Sequence, residues 1–155
     1  MFILPAYVAN GAPVIFGGGK PLDLGKSFRG KRIFGDHKTI RGLISGLLSG
    51  FIISLLESFI FPFMLVIGTA MSFGTHAGDL FGSFVKRRIG MKEGESFAVL
   101  DQYLFFIFAL LFALPFGMSH FPDIWGLVFI TVLTGILHLL TNRAAFKLNL
   151  KKVPW

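Results

Sequence analysis

The chain has 155 residues, 54% of them hydrophobic and only 15% charged, with a mean hydropathy of +0.72. A soluble domain is about 45–50% apolar and roughly a quarter charged, so a soluble monomer and a disordered chain are excluded, and the absence of cysteine excludes a disulfide scaffold, thiolate metal sites and thiol nucleophiles. The net charge of +7 and pI near 10.1 suit nucleic acid, anionic lipid or a phosphorylated substrate.

Residues 1–16 form a short apolar run interrupted by Pro5, Asn10, Gly11 and Pro13. As a helix it reaches only about 24 Å, less than the ~30 Å hydrocarbon layer, and it reads as a short or broken span. It lacks the basic start and polar cleavage site of a signal peptide. Four longer runs follow, at residues 42–60, 62–85, 99–118 and 122–142, each near the ~20 residues that cross a bilayer. The pattern predicts an all-α, polytopic membrane protein of one domain and five spans, with loops at residues 17–41 and 86–98 and a tail at 143–155.

All 15 cations fall in those three segments: Lys20, Lys26, Arg29, Lys31, Arg32, Lys38 and Arg41; Lys86, Arg87, Arg88 and Lys92; Arg143, Lys147, Lys151 and Lys152. The opposite turns, around residues 57–62 and 115–123, carry none. The positive-inside rule then puts the basic segments and the C-terminus in the cytoplasm and the N-terminus outside. Cations that merely orient helices would be distributed in the same way, so their neighbours matter.

In the third apolar run Ser72, His76, Asp79, Ser83 and Lys86 recur at helical spacing and share one face. An ionisable group in a span is costly and marks a polar cavity. The plainer alternatives are that Asp79 reaches water or pairs with Lys86, and that His76 only packs. Asp101 and Gln102 open the fourth run at a depth comparable to Asp79, where Asp101 also suits a helix start. Two carboxylates among cations fit Mg²⁺ with a polyphosphate, because Mg²⁺ takes one or two protein carboxylates and fills its shell with water and phosphate oxygens, while Lys and Arg neutralise the remaining charge.

The first basic loop holds Gly17, Gly18 and Gly19 before Lys20, and Asp36-His37-Lys38-Thr39-Ile40-Arg41-Gly42 just before the second run. Such glycines can turn backbone N–H groups toward an anion, or simply make a flexible loop, and a helix start beside Lys38 and Arg41 favours phosphate. Gly25-Lys26-Ser27 is no P-loop, because Lys20 stands where its first glycine belongs. Cations confined to span ends argue against nucleic-acid binding. Phosphoryl transfer at a membrane surface survives.

Ser83-Phe-Val-Lys86-Arg87, Lys92-Glu93 and Asp101-Gln102 resemble the signature of phosphatidate cytidylyltransferases. Glu93 and Gln102 depart from that signature, in which Asp and Arg stand, and its His-Gly-Gly stretch is missing. The blocks Asn10-Gly-Ala-Pro13, Gly17-Gly-Gly-Lys20-Pro21-x-Asp23 and Phe34-Gly-Asp-His-Lys-Thr-x-Arg-Gly42 resemble a narrower family, the CDP-archaeol synthases. The resemblance implies a multi-pass enzyme of an archaeal cell membrane that uses Mg²⁺, CTP and an isoprenoid glycerol-ether phosphate.

With that resemblance, Asp79 and Asp101 are expected to hold Mg²⁺. Lys86, Arg87 and Lys92 are expected at the nucleotide or the departing pyrophosphate. Lys38, Arg41 and the turn of Gly17, Gly18 and Gly19 are expected at the other phosphates or the lipid phosphate, and Asn10, Asp23 and Thr39 at cytosine or ribose. Lys20, His37, His76, Ser83 and Gln102 complete the expected substrate-binding set. A transporter or channel built on His76 and Asp79, and a non-catalytic binder of anionic lipid, are the alternatives.

Overall fold

Five α-helices carry the chain: α1 (Leu4–Phe16), α2 (Ile40–Ser58), α3 (Met64–Arg88), α4 (Ala98–Gly117) and α5 (Ile124–Lys147). This computed structural model describes residues 2–95 and 97–150; Met1 of the first predicted span and Lys151 and Lys152 of the tail lie outside them. The all-α, multi-helix expectation holds. On length and apolarity alone α2, residues 100–117 of α4, and α5 can each cross a bilayer. Helix α1 is too short, and α3 carries too many polar side chains to do so unaided.

What lets α3 carry them is the surface of α2. Gly42, Gly46, Gly50 and Ser54 recur every fourth residue of α2 and are all buried. A side chain at Gly46 would strike His76, one at Gly50 would strike Ser72, and Gly68 of α3 faces Ser54 in return. The register is antiparallel, each step up α2 matching a step down α3. Small residues at such a seam allow the close approach on which helix association in lipid depends. Helix α4 packs on the other flank of α3, with Gly74 and Gly78 set against the backbone at Phe108 and Leu104. An apolar core that includes Ile3, Ala6, Ile67, Met71, Phe105 and Ala109 closes α1, α3 and α4 together.

Three details differ from the sequence expectations. The first helix is unbroken over its 13 residues, with Pro13 inside it. Lys86, Arg87 and Arg88 continue α3 instead of opening a loop, a placement that the negative end of the helix dipole favours; Arg143 and Lys147 likewise belong to α5. The loop of residues 17–41 is also structured. It contains an antiparallel hairpin, β1 (Ser27–Phe28) and β2 (Lys31–Arg32), with Ser27 opposite Arg32 and Phe28 opposite Lys31. Its two-residue turn uses Arg29 and Gly30, both at positive φ (53° and 75°), the geometry that matches strand twist in tight hairpins.

Candidate active site

The base of the 17–41 loop is closed by main-chain hydrogen bonds. Leu22 N–H donates to Lys38 O at 2.7 Å and Ile40 N–H to Lys20 O at 3.1 Å. Thr39 then caps α2, its Oγ1 accepting from Gly42 N–H at 3.0 Å. These contacts fix Lys38 immediately ahead of the helix. Its Nζ donates to both oxygens of Asp79, each at 2.6 Å.

A second pair lies alongside. Lys86 Nζ, near the end of α3, is 2.6 Å from Asp101 Oδ1 in the first turn of α4. Asp101 Oδ2 accepts from Phe97 N–H at 2.9 Å, so Asp101 also serves the helix start. Gly78 of α3 packs level with Leu104 of α4, which puts Asp79 and Asp101 within about one 5.4 Å helical turn of each other in depth. Two carboxylates and two ammonium groups thus gather as two ion pairs at similar depth, drawn from α3, α4 and the loop before α2.

His76 lies one turn deeper on α3, buried, and its Nε2 has no hydrogen-bond partner among the described residues. It is pressed toward Gly46 and the carbonyl of Ala9. Ser83 is buried on the same helix, while Asn10 of α1 and Gln102 of α4 are half-buried.

Other predicted residues serve the scaffold. Asp23, almost fully buried, accepts from Arg32 Nη2 at 2.6 Å and from the N–H groups of Phe34, Gly35 and Gly25 at 3.0–3.1 Å. Burial alone would raise its carboxyl pKa, but Arg32 and those three N–H groups outweigh it and hold it far below the usual carboxylate range. Its acceptor capacity is therefore taken up inside the loop. Arg87 is buried and donates to Lys92 O at 3.0 Å, bracing the turn after α3; its Nε has no partner among the described residues. Lys92 is exposed, its N–H donating to Glu95 Oε2 at 2.8 Å. His37 is exposed beside Gly94. Gly17 ends α1, its N–H donating to Pro13 O at 2.9 Å. Gly18 and Gly19 follow at φ +93° and +82°, with open space about them. Lys20 and Arg41 lie side by side, exposed, on the outer flank of α2.

Two structural residues escaped sequence reasoning. Arg88 clamps the hairpin to α3: its guanidinium donates to the carbonyls of Phe28, Lys31 (3.0 Å) and Arg32 (2.5 Å). It also lies 5.0 Å from the ring centroid of Phe84, within cation–π range. Glu93 ties the two loops together, its Oε2 accepting from Asp36 N–H at 3.1 Å. The adjacent Lys92-Glu93 motif was a signal for the second, whereas nothing near Arg88 pointed to a partner some 60 residues away.

Helices that hold half-buried ion pairs at the end where their loops gather suit an integral membrane enzyme. Known proteins say of which kind. The family model for CarS-like CDP-archaeol synthase matches residues 1–155. A CDP-archaeol synthase of Methanopyrus kandleri is 48% identical, covering 99% of this chain and 90% of that one. One of Pyrococcus abyssi is 42% identical, covering 99% and 95%. A solved structure described as an intramembrane enzyme for archaeal membrane lipids biosynthesis superposes with a TM-score of 0.83 at 35% identity, over 91% of this chain and 90% of that one. The chain belongs to the CDP-archaeol synthase family and is a cytidylyltransferase. Membership sets aside the transporter and the non-catalytic lipid binder.

Proposed function

We propose that this enzyme transfers CMP from CTP to 2,3-bis-O-geranylgeranylglycerol 1-phosphate, releasing pyrophosphate, at the cytoplasmic face of the cell membrane and with Mg²⁺. The observation that carries this reading is the cluster of Lys38, Asp79, Lys86 and Asp101 at the loop-bearing end of the helices. CTP is soluble and the lipid phosphate is interfacial, so their reacting atoms meet where helix ends and basic loops meet.

The lipid phosphomonoester carries about −1.5 to −2 charge near neutral pH, and its oxygen is already nucleophilic. That oxygen forms a bond to the α-phosphorus of CTP as the bond from the α-phosphorus to the bridging oxygen breaks, and pyrophosphate leaves with the electron pair. No general base is required. The protein's task is to bring two anions together and to stabilise the charge that develops on the transferred group and the leaving group.

Asp79 and Asp101 are the residues that would hold Mg²⁺. Among the described residues no group of three or more His, Asp or Glu gathers on one point, which suits an ion that arrives with a triphosphate and takes only one or two protein carboxylates. Asp79 already presents both oxygens to a single cation, the Lys38 ammonium. When bound, Mg²⁺ neutralises phosphate charge and polarises the phosphoryl oxygens. Lys38 and Lys86, which already reach the two carboxylates, would offer ammonium donors to phosphate oxygens. Asp23 and Thr39 hold the loop that carries Lys38 in shape.

The test is incorporation of label from [α-³²P]CTP into the lipid phosphate by purified enzyme, with and without Mg²⁺. Asp79→Asn is expected to lower turnover by roughly 10³-fold while its thermal melting matches wild type. Near-normal product from that variant would remove Asp79 from the reaction, and full activity in excess chelator would remove Mg²⁺.

A further inference from the structure

We propose that the lipid substrate binds in the groove on the outer flank of α1 and α2, with its phosphate on Lys20 and Arg41 and one isoprenoid chain along Phe16, Ile44 and Leu48. The inference rests on the reaction proposed above and assigns its lipid to a place.

The groove is an open cavity of about 410 Å³ between the end of α1 and the first turns of α2. Its walls are apolar. Phe16, Ile44 and Leu48 are each about half exposed, as side chains facing lipid are. The chain leaves them uncovered because Gly17, Gly18 and Gly19 turn it away directly after Phe16, two of the three at positive φ.

The groove's mouth is cationic. Lys20 and Arg41 both line it, and neither makes an ion pair among the described residues. Arg41, Ile44 and Leu48 recur at i, i+3 and i+7, a single helix face. Ile52 and Leu55 prolong that face and are exposed too. From Arg41 to Leu55 the stripe runs roughly 21 Å at 1.5 Å per residue, enough to lay out an extended apolar chain.

Two unpaired cations above a long apolar stripe complement one kind of molecule: an amphiphile with an anionic head and a long hydrocarbon tail. A phosphate dianion meets two charge-assisted donors there. A nucleotide would have to put its polar base and ribose against Phe16 and Leu48. The mouth also adjoins the charged cluster. Lys20 O accepts from Ile40 N–H, and Arg41 follows three residues after Lys38, so one loop closure positions both cations.

Ile44→Trp and Leu48→Trp would fill the groove, and Val128→Trp on the lipid-facing flank of α5 is the control. With 2,3-di-O-geranylgeranylglyceryl phosphate in detergent micelles, the groove variants are expected to raise KM for the lipid about tenfold or more. Their KM for CTP and their melting should stay as in wild type and the control. A diazirine-tailed prenyl phosphate should label residues 40–48 of wild type, displaced by unlabelled lipid phosphate and not by CTP. Label confined to α4 or α5, or an unchanged lipid KM in folded groove variants, overturns the proposal. Specific label on residues 40–48 with no CTP-dependent product would instead keep the groove and sink the reaction.

Discussion

Helices α3 and α5 are of nearly equal length, 25 and 24 residues, yet solve the bilayer in opposite ways. Helix α3 buries Ser72, Thr75, His76, Ser83 and Arg87 and sends its charged side chains to partners on a loop and on α4. The most apolar 18-residue stretch of α5 has a mean hydropathy of 2.0, and only Thr134 among the helix's described residues is buried. Polar groups in lipid cost several kcal/mol unless protein surrounds them. Helix α3 is surrounded, by the small residues of α2 on one side and the close-set backbone of α4 on the other. Helix α5 needs no such company because lipid itself solvates it. The helix that carries Asp79 and Lys86 is thus the one that cannot stand alone.

The strongest way to break this contrast is to thicken the seam. Gly50→Leu would drive a side chain into Ser72 and Ala9, and it is expected to cost about 3 kcal/mol or more. Loss of a single peak in fluorescence-detected size exclusion, with activity lost alongside, would register it. Next comes Lys86→Met, which removes the partner of Asp101 without adding bulk. Turnover should fall roughly 10²-fold with melting little changed, as measured by labelled-CTP incorporation.

Asp23→Asn is a gentler probe, aimed at the loop and not the cluster. It should make trypsin cut at Lys26, Arg29 and Lys31 in limited proteolysis, where wild type resists. The pH dependence follows from the sign of the shift: a carboxyl depressed in the folded state stabilises the loop above the ordinary carboxylate range, about pH 4. That contribution is lost only as the pH falls further, toward the folded value. Wild-type resistance is therefore expected to be flat through neutral and alkaline pH. Smallest of all is Thr134→Val, which removes a hydrogen bond between α5 and α1, Tyr7 OH to Thr134 Oγ1 at 2.7 Å. A loss of about 0.5–1 kcal/mol and unchanged KM for CTP would show α5 to be a bystander to the chemistry.

The helices were legible because twenty apolar residues have few other readings, and Asp79 stood out because a carboxyl within an apolar run demands a reason. Its partner was harder to see. Helix periodicity pointed to Lys86, seven residues on, whereas the structure joins Asp79 to Lys38, 41 residues away across a loop. Lys86 goes to Asp101 instead. Spacing along one helix cannot report what a neighbouring loop delivers. Thr39 and Asp23 fall under the same limit: their side chains are polar and belong to the loop that carries Lys38, but backbone N–H groups claim them. The hairpin went unread because two-residue strands have no period to detect.

The bond between Tyr7 and Thr134 joins positions 127 apart, and it has a consequence for the order in which the protein is made. Lys38, Asp79, Lys86 and Asp101 all precede α5 in the chain. A nascent polypeptide halted just before Ile124 already contains both ion pairs and the glycine seam that shelters them. Helix α5, made after all of these, adds an apolar stave latched to α1 by a hydroxyl.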